Sequence, residues 1–360
     1  MFVCYCLLLQ SVVTVNNTVG NQKTEVFRKE SLKNRRNFTK ICSKVLSNLP
    51  TAVKHTDKNG FQELPERYLS NKRDISKGYS CGNAIAPEKA SENPWMTILV
   101  KTAPSNFENR KILRETWGKI RFFKGKIFSL LFMVGLAPSS SGLQMKLQEE
   151  NAKYGDILQC NFVDKYEALP IKVLSTFRWI IETNHQSRFY SVTDDDCVIN
   201  IAEMHSIFTR LDTSEVKTDN TKVAQDDHNT IYCGYTFNEG AVPQRESSMK
   251  WNMPMELYSG DYYPAYCLGA LWTLSYDILQ ALACVSTVTD IEDFFVEDVL
   301  ISGILREKLG QGSNNIKPLW EKRWEEKKRL LAFHSGKLDN PKKRMLEKWR
   351  EWSTNMSNMQ

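Results

Sequence analysis

Three consecutive aspartates, Asp194, Asp195 and Asp196, interrupt an apolar, β-prone run that extends from Phe189 to Asn200. Apolar runs of this length usually form buried strands, where adjacent carboxylates repel one another unless a cation shares the site. Mg²⁺ and Mn²⁺ bind carboxylate oxygens and keep positions for phosphate oxygens. The run therefore predicts a divalent metal at the carboxyl edge of a parallel sheet, where open α/β folds place their ligands. A solvated acidic turn is the alternative, and the run alone does not decide between them.

Length and composition bound the fold class. A chain of 360 residues can hold one large α/β domain with tails, or two ordinary domains. Its content of 41% hydrophobic and 25% charged residues is that of a globular protein. The formal charge of +6 is small, and basic residues are interspersed with acidic ones instead of forming a stripe. We therefore expect no nucleic-acid partner.

The chain begins with an apolar, uncharged segment over residues 1–15. This segment is shorter than the ~20 residues of a membrane-spanning helix, but it has the length of a secretory signal or a shortened signal-anchor. A strand of the folded core is the alternative. Residues 16–92 are polar, without a sustained period, and predict a stem or linker. A folded domain over residues 93–352 and a tail over 353–360 complete the predicted organisation.

The cysteines and glycosylation motifs bear on the cellular compartment. Beyond Cys4 and Cys6, seven of the nine cysteines remain, so these seven cannot all pair within the chain. None of them forms a Cys-x-x-Cys pair, which removes the usual zinc and thioredoxin-type interpretations. Sequons at Asn16, Asn37 and Asn355 fit a lumenal or secreted protein.

Strands and helices alternate in the first half of the predicted folded domain. Residues 94–100 and 128–135 predict buried strands, and residues 109–118 and 142–153 predict the helices that follow them. This alternation predicts a parallel sheet with right-handed crossovers. The long polar run 212–230 predicts a surface excursion.

Two arginines follow the first of these strands. Arg110 and Arg114 are four residues apart, so they lie on one helical face near the carboxyl end of the strand. Two guanidinium groups at such a place suit a diphosphate. The alternative is that they pair with Glu115 or with solvent.

A second acidic cluster contains Glu297 and Asp298 within residues 292–300. Apolar residues between the acids indicate that some carboxylates point into a walled site, which raises a pKa toward the value that a general base needs. The alternative is a helix N-terminus that begins with Glu297 and Asp298. Aromatic residues are dense over 262–275, where they stack on sugar faces in a cleft or else pack in the core.

Six motifs follow one another along residues 93–306. They are Arg110-Lys-Ile-Leu-Arg114-Glu-Thr116-Trp117-Gly118, Tyr154-Gly-Asp156, Asp164-x-Tyr166 with Lys172, Asp194-Asp195-Asp196, Tyr263-Pro264-x-Tyr266-Cys267-x-Gly269 and Glu297-Asp298-Val299. In this collinear order they resemble the β-1,3-galactosyltransferases of glycosyltransferase family 31. The resemblance implies a GT-A fold, which is an α/β fold with a Rossmann-like, mostly parallel sheet flanked by helices. The donor nucleotide of such a fold binds at the carboxyl edge of the sheet.

The resemblance also implies an activity and a location. The activity is that of an inverting, metal-dependent hexosyltransferase, which moves galactose or N-acetylglucosamine from a UDP-sugar to a glycan hydroxyl of a glycoprotein or glycolipid in β-1,3 linkage. Such enzymes are usually single-pass type II Golgi membrane proteins with an N-terminal signal-anchor, a stem and a lumenal catalytic domain. Cleavage of residues 1–15 would instead give a secreted protein.

The metal site follows from the same resemblance. Asp194 and Asp196 are implied as the Mn²⁺-binding acids, with Asp196 as the direct ligand, and His334 is implied to complete the site. Asp195 would contact hydroxyls of the donor's ribose or sugar. A cation held there stabilises the charge that develops on UDP as it leaves.

The resemblance also implies residues that bind the donor and a base that acts on the acceptor. The resemblance implies that Arg110 and Arg114 lie near the uracil or diphosphate, and Lys172 joins them among the donor-binding residues. Asp298 is implied as the base that removes the proton of the acceptor hydroxyl, with Glu297 as its competitor.

Some positions depart from the family pattern, among them Asn161, Asn184, Ala270 and Trp272. They leave both acidic clusters intact and bear on acceptor choice and one disulfide more than on the reaction. The alternative function is a catalytically silent relative that binds glycans or nucleotide-sugars. A metal-dependent phosphatase or nuclease also uses clustered carboxylates, but it predicts two metals and hydrolysis without an acceptor sugar.

Overall fold

The computed structural model describes residues 36–49, 54–57, 60–63, 68, 81–82, 85–87, 93–138, 142–214, 230–237, 241–311, 316–319, 331–336 and 338–357. The apolar segment 1–15 and most of the polar run 212–230 lie outside these residues, so what the sequence predicts for them stays a prediction. Within the described parts of the chain, no helix combines the length and the apolar character that crossing a membrane requires.

The strands form one large sheet and three small ones. Strands β1 to β14 are Lys54–Asp57, Gly60–Glu63, Met96–Lys101, Phe122–Phe123, Lys126–Leu136, Ile157–Val163, Phe189–Asp194, Cys197–Ile199, Ile231–Cys233, Thr236–Phe237, Tyr266–Cys267, Leu271–Ser275, Ile316–Pro318 and Ala332–His334. The large sheet has eight strands in the order β13-β9-β12-β7-β3-β5-β4, with β6 also paired to β5. β3 pairs in parallel with both β5 and β7, and β5 pairs in parallel with β6.

Helices connect the parallel strands and cover both faces of the sheet. Helices α1 to α7 are residues 36–46, Phe107–Glu115, Leu143–Tyr154, Leu169–Thr183, Ile201–Ser214, Tyr276–Ser286 and Pro341–Ser357. A π-helix over Val299–Leu305 follows α6. Helix α3 lies between β5 and β6, and α4 lies between β6 and β7. The predicted α/β class with a mostly parallel sheet is thus confirmed, and the arrangement agrees with the GT-A-like architecture that the resemblance implies.

Two hydrophobic clusters pack on the two sides of the sheet. Alternate residues of β3 serve different clusters: Leu99 packs in one, and Ile98 and Val100 pack in the other. The first cluster takes its helical residues mainly from α4, α6 and the π-helix, and the second takes them from α2, α5, α7 and, through Leu147, α3. Because both faces are covered, all six residues of β3 are buried.

The carboxyl ends of the parallel strands gather distant parts of the chain. Asp194, the last residue of β7, is the register partner of Lys101, the last residue of β3. Strand β12 runs antiparallel to β7, so its first residue, Leu271, lies at the same edge. Beyond the aspartates, β8 pairs with β14 and places His334 opposite Cys197. Lys101, Asp194 and the start of β12 therefore lie at one edge of the sheet.

Among the described residues, three disulfides tie outlying segments to this core, and they are Cys42–Cys284, Cys81–Cys160 and Cys233–Cys267. Cys197 is unpaired and buried, the one such cysteine in the described parts of the chain. Helix α1 packs through Phe38 and Cys42 into the same cluster as α6. The sequence assigns residues 36–46 to the stem, whereas here they are an ordered helix. The predicted boundary at residue 93 stays a prediction.

Candidate active site at the carboxyl edge of the sheet

The two acidic clusters meet at Lys101, at the end of β3. Its Nζ lies 3.1 Å from Asp194 Oδ1 and 2.8 Å from Glu297 Oε2, and it donates a hydrogen bond to the Gly269 carbonyl oxygen at 3.0 Å. Burial acts to lower the pKa of Lys101, but the negative charges of Asp194 and Glu297 outweigh it and raise the pKa. The ammonium therefore stays charged. Sequence reasoning missed Lys101, although a lysine at the last position of a buried strand is a usable signal.

Asp298 and Glu297 stand beside this lysine at the start of the π-helix. Asp298 Oδ2 accepts a hydrogen bond from the Gly269 N–H at 3.1 Å, and Oδ1 accepts one from the Val299 N–H at 2.9 Å. Asp298 thus caps a helix, as the structural alternative expects, and also lies at the edge of the sheet beside the first acidic cluster. The two roles that the sequence left open are compatible.

The second acidic pair is tuned toward proton transfer. Burial raises the pKa of Glu297 to about 7, although the charge of Lys101 acts to lower it. Burial also raises the pKa of Asp298, again against Lys101. Glu297 Oε1 has no hydrogen-bond partner among the described residues. Glu297 can thus exchange a proton close to neutral pH, and the raised pKa of Asp298 brings it nearer to that range.

Gly269 lets the main chain approach these charges closely. A Cβ at this position would lie 3.3 Å from Lys101 Nζ and 3.5 Å from Asp298 Oδ2. Its carbonyl oxygen accepts from Lys101 and its N–H donates to Asp298, so one residue orients both side chains. Any side chain at position 269 would crowd the lysine, which explains the glycine.

The predicted metal ligands come together next to Lys101. One potential ligand atom each from Asp194, Asp196, Cys197 and His334 lies within 4.8 Å of all the others. His334 Nε2 is 3.2 Å from Asp196 Oδ1, and the hydrogen bond to Asp196 raises the pKa of His334. Burial raises the pKa of the Cys197 thiol well above its ordinary value, which keeps it protonated. Two carboxylates and an imidazole remain, a set that suits Mn²⁺ and similar ions.

Ser335 and Gly336 lie against Asp196 and leave space around the carboxylates and the imidazole. The Asp196 carbonyl oxygen accepts hydrogen bonds from the Ser335 N–H at 3.1 Å and from Ser335 Oγ at 2.9 Å. A Cβ on Gly336 would come within 2.3 Å of Asp196 Oδ2 and 3.0 Å of His334 Nε2. Glycine at position 336 therefore keeps a cradle that any side chain would fill. The residues present fit the divalent cation that the resemblance implies, and their role as ligands stays a prediction.

Asp195 points to the loop that follows β3. Its Oδ2 accepts hydrogen bonds from Thr102 Oγ1 at 2.5 Å and Asn106 Nδ2 at 2.9 Å, and Oδ1 accepts one from Asn109 Nδ2 at 3.1 Å. Burial raises the pKa of Asp195, although these hydrogen bonds act to lower it. Asp195 thus fixes the loop beside the predicted metal ligands, and its predicted contact with donor hydroxyls stays a prediction.

Arg110 and Arg114 lie in a separate network of ion pairs. Arg110 Nη2 is 2.7 Å from Glu150 Oε2, and Arg114 Nη1 is 2.6 Å from Glu150 Oε1. Arg114 Nη2 lies 2.7 Å from Asp156 Oδ1. Arg110 also donates to the carbonyl oxygen of Ala103 at 2.7 Å. The partners are therefore carboxylates of α3 and its following turn, and a contact with the donor stays a prediction for both arginines.

Lys172 is a buried residue of α4. Its Nζ lies 3.0 Å from Asp164 Oδ2 and donates to the Thr102 carbonyl oxygen at 2.7 Å. Burial lowers the pKa of Lys172 in spite of the Asp164 charge. Lys172 connects α4 to the segments after β3 and β6, and its donor-binding role stays a prediction.

Comparisons with known proteins show the family to which the chain belongs. The sequence profile of the galactosyltransferase family matches residues 108–316, and the chain belongs to this family of glycosyltransferases. β-1,3-Galactosyltransferase 1 of Mus musculus is 29% identical over 225 residues, which cover 62% of this chain and 64% of the relative. The lactosylceramide 1,3-N-acetyl-β-D-glucosaminyltransferase A of Danio rerio is 26% identical over 283 residues, which cover 70% of each chain.

The extent of these matches is partial. The chain spans 64% of the length of the β-1,3-galactosyltransferase that it matches. Among solved structures, the apo structure of the bifunctional glycosyltransferase WbbM covers 65% of this chain and 40% of its own, with 10% identity and a TM-score of 0.32. That structural similarity is too low to bear on the fold.

Proposed function

We propose that this chain is an inverting, metal-dependent hexosyltransferase that moves galactose or N-acetylglucosamine from a UDP-sugar to a glycan hydroxyl in β-1,3 linkage. The names of two relatives, a β-1,3-galactosyltransferase and a 1,3-N-acetylglucosaminyltransferase, support this donor class and linkage. The Lys101 bridge is the observation that carries the proposal, because it joins the cluster suited to a metal and the cluster suited to a base at one edge.

The donor side of the proposal uses the first cluster. Asp194, Asp196 and His334 would hold Mn²⁺, which when bound supplies positive charge for the diphosphate that departs with UDP. Lys101 holds Asp194 at 3.1 Å and offsets part of the negative charge around it. Asp195 keeps the loop after β3 in place through its three hydrogen bonds.

The acceptor side uses Asp298 as the base. The acceptor oxygen attacks the anomeric carbon and loses its proton to Asp298, while the bond from that carbon to the β-phosphate oxygen breaks and its electron pair leaves with UDP. The raised pKa of Asp298 suits a group that must accept a proton from a hydroxyl. Attack opposite the departing oxygen inverts the configuration. Glu297, with its pKa raised to about 7, is the competing proton acceptor.

The direct test is UDP release from UDP-galactose and from UDP-N-acetylglucosamine, with Mn²⁺ and a panel of acceptor glycans. We expect release that requires both Mn²⁺ and an acceptor, with transfer product of inverted configuration in the NMR spectrum. Equal release without any acceptor would favour a hydrolase. Donor binding without turnover by folded protein would favour the silent relative.

We also infer a Golgi location, with a lumenal catalytic domain behind an N-terminal anchor, or secretion if residues 1–15 are cleaved. Three disulfides support an oxidising compartment. Asn37, the sequon residue of α1, is exposed and can carry a glycan. Expression of the full chain in animal cells tests the inference. Carbonate-resistant, glycosidase-sensitive protein is expected, and unglycosylated protein in the cytosol would contradict it.

A further inference from the structure

Two partly exposed aromatic side chains are joined beside the candidate active site. Trp251 Nε1 donates a hydrogen bond to the Tyr166 hydroxyl at 2.8 Å, and the two side chains, here called the Tyr166–Trp251 pair, are 42% and 36% exposed. Lys250 Nζ lies 4.7 Å from the centre of the Tyr166 ring and 5.3 Å from that of Trp251. Single exposed aromatics are common, but two that are held together by a polar contact form a built surface.

This pair lies at the same edge of the sheet as the acidic clusters. Tyr166 begins the short turn Tyr166–Ala168, which follows the carboxyl end of β6 and precedes α4. Asp164, two residues before Tyr166, lies 3.0 Å from Lys172 Nζ, which also donates to the Thr102 carbonyl oxygen at 2.7 Å, next to Lys101. The pair therefore lies at the edge where Lys101 meets Glu297 and Asp298.

The loop that carries Trp251 is held in shape from within. Arg245 Nη1 donates to the carbonyl oxygens of Met253 at 2.7 Å and Tyr258 at 2.8 Å, and its Nη2 donates to that of Gly260 at 2.8 Å. The Met253 N–H donates to the Gln244 carbonyl oxygen at 2.7 Å. A loop fixed at these points presents Trp251 with little freedom, which suits recognition of a rigid ring.

Lys250 completes the surface without closing it. An exposed cation is held only weakly over an aromatic ring, so an incoming ring can displace its ammonium from the aromatic face. The displaced ammonium has three donors for hydroxyl oxygens. Apolar ring faces beside a mobile donor are what a pyranose needs, since it has C–H groups on its faces and hydroxyls at its rim.

We propose that the Tyr166–Trp251 pair is the acceptor subsite, on which a pyranose ring of the acceptor glycan stacks with its reacting hydroxyl directed to Asp298. The inference rests on the proposed function and adds the place of the acceptor. Asp298 must touch the acceptor and not the departing diphosphate, so a ring platform near Asp298 belongs to the acceptor side.

The test compares kinetic constants of Trp251→Ala, Tyr166→Phe and a control, Phe122→Ala. Phe122 is 66% exposed in β4, which pairs with the opposite end of β5, so its truncation removes a similar exposed ring. We expect Trp251→Ala to raise the KM for the acceptor about tenfold, with smaller changes in the KM for the donor and in kcat, because stacking contributes to ground-state binding. Tyr166→Phe keeps the ring and is expected to raise the acceptor KM about twofold to threefold.

A second measurement covers the case in which Trp251→Ala fails to fold. In the wild-type chain with UDP and Mn²⁺, saturation of aromatic protons should transfer to the C–H groups of a bound acceptor ring. An acceptor KM of Trp251→Ala equal to that of Phe122→Ala, or no saturation transfer in the wild type, would overturn the subsite while leaving the proposed function standing. A wild-type chain that transfers to no acceptor would overturn both.

Discussion

Two groups of charged side chains lie near the carboxyl edge of the sheet, and they differ in charge balance. In the arginine network, the buried Arg110 and Arg114 face Glu150 and Asp156, and the half-exposed Arg121 lies 3.9 Å from Asp156, so each carboxylate has guanidinium partners. Burial acts to raise the pKa of Glu150, but hydrogen bonds from Arg110 and then Arg114 lower it. Every charge in this network has a partner within the chain.

The acidic site is not balanced in this way. Asp194 and Glu297 share the single ammonium of Lys101, and Asp298 lies beside it. Asp196 has His334 as its ion-pair partner, and that imidazole carries charge only when protonated. The excess negative charge remains costly until a cation or protons arrive. The comparison teaches that the balanced network supports the fold, whereas the unbalanced site is poised for ligands.

The largest effect on this comparison is expected for Asp298→Asn, which removes the proposed proton acceptor and keeps the side-chain shape. We expect kcat for transfer to fall by about 10³-fold, because loss of a general base removes about 10²–10⁴ in rate. Donor affinity, measured by calorimetry with Mn²⁺, should stay within about threefold. Asp293→Asn, the same change at an exposed aspartate in the same segment, is the matched control. Near-normal transfer by Asp298→Asn, together with its loss in Glu297→Gln, would move the base to Glu297.

The balanced network should fail differently. Arg114→Met leaves Asp156 and Glu150 with fewer partners, and breaking a buried ion pair in this way destabilises a fold by about 3 kcal/mol or more. Chemical denaturation measures the change in the free energy of unfolding. The control Arg344→Met removes an exposed pair with Glu347 and should change that free energy by less than about 0.5 kcal/mol. A donor affinity reduced more than about tenfold in folded Arg114→Met would instead support the predicted donor contact.

A substitution in the unbalanced site should weaken metal binding without lowering the free energy of unfolding. Asp196→Ala removes one carboxylate from the predicted ligand set, so Mn²⁺-dependent UDP binding should weaken by at least about 100-fold. Without metal, the free energy of unfolding of Asp196→Ala should equal or exceed that of the wild type, because the variant has one fewer negative charge among the clustered carboxylates. Mn²⁺ with UDP should raise the melting temperature of the wild type and not of the variant. An Asp196→Ala protein that retains the Mn²⁺ effect would exclude Asp196 as a ligand.

Buried Glu297 gives the unbalanced site a characteristic pH dependence. Its pKa is raised from 4.5 to about 7 by burial, so between these values the folded state binds more proton than the unfolded state. The stability contribution of the protonated group is complete below pH 4.5 and is lost as the pH rises through about 7. Relative to Glu297→Gln, the free energy of unfolding of the wild type should fall by about 3 kcal/mol over this window. If the free energy of unfolding depended on pH in the same way in both proteins, the raised pKa of Glu297 would be contradicted.

The same contrast explains what the sequence could predict. The strand and helix pattern is local, so it predicts the parallel sheet, and the position of Asp194 after a strand then predicts the edge at which it lies. The end of a buried strand marks Lys101 as unusual, but its partner Glu297 is 196 residues away, so no local pattern predicts their contact. The carboxylate partners of Arg114 are 36 and 42 residues distant along the chain. Local sequence therefore predicts only Glu115, solvent or a diphosphate as partners of the arginines.

The sequence also does not predict the ordered helix α1 in the N-terminal region. The polar composition of residues 36–46 favours a solvated stem, yet α1 packs on the core through Phe38 and is fastened by the Cys42–Cys284 disulfide across 242 residues. A cross-link between such distant positions constrains the unfolded chain and stabilises a helix that its own composition does not. An odd set of seven cysteines could not reveal which of them pair.

The smallest expected effect concerns the cradle at Gly336. In Gly336→Ala the new Cβ would meet Asp196 Oδ2 at 2.3 Å, so the carboxylate must turn away from His334 while the rest of the site remains. Since Asp196 is displaced and not deleted, we expect Mn²⁺ affinity to fall by about tenfold, less than in Asp196→Ala. Calorimetric Mn²⁺ titration in the presence of UDP measures this difference. A Gly336→Ala protein with wild-type Mn²⁺ affinity would mean that the cation does not depend on the Asp196 carboxylate in the position described, and the contrast between the two charged groups would then rest on Asp194 and Lys101 alone.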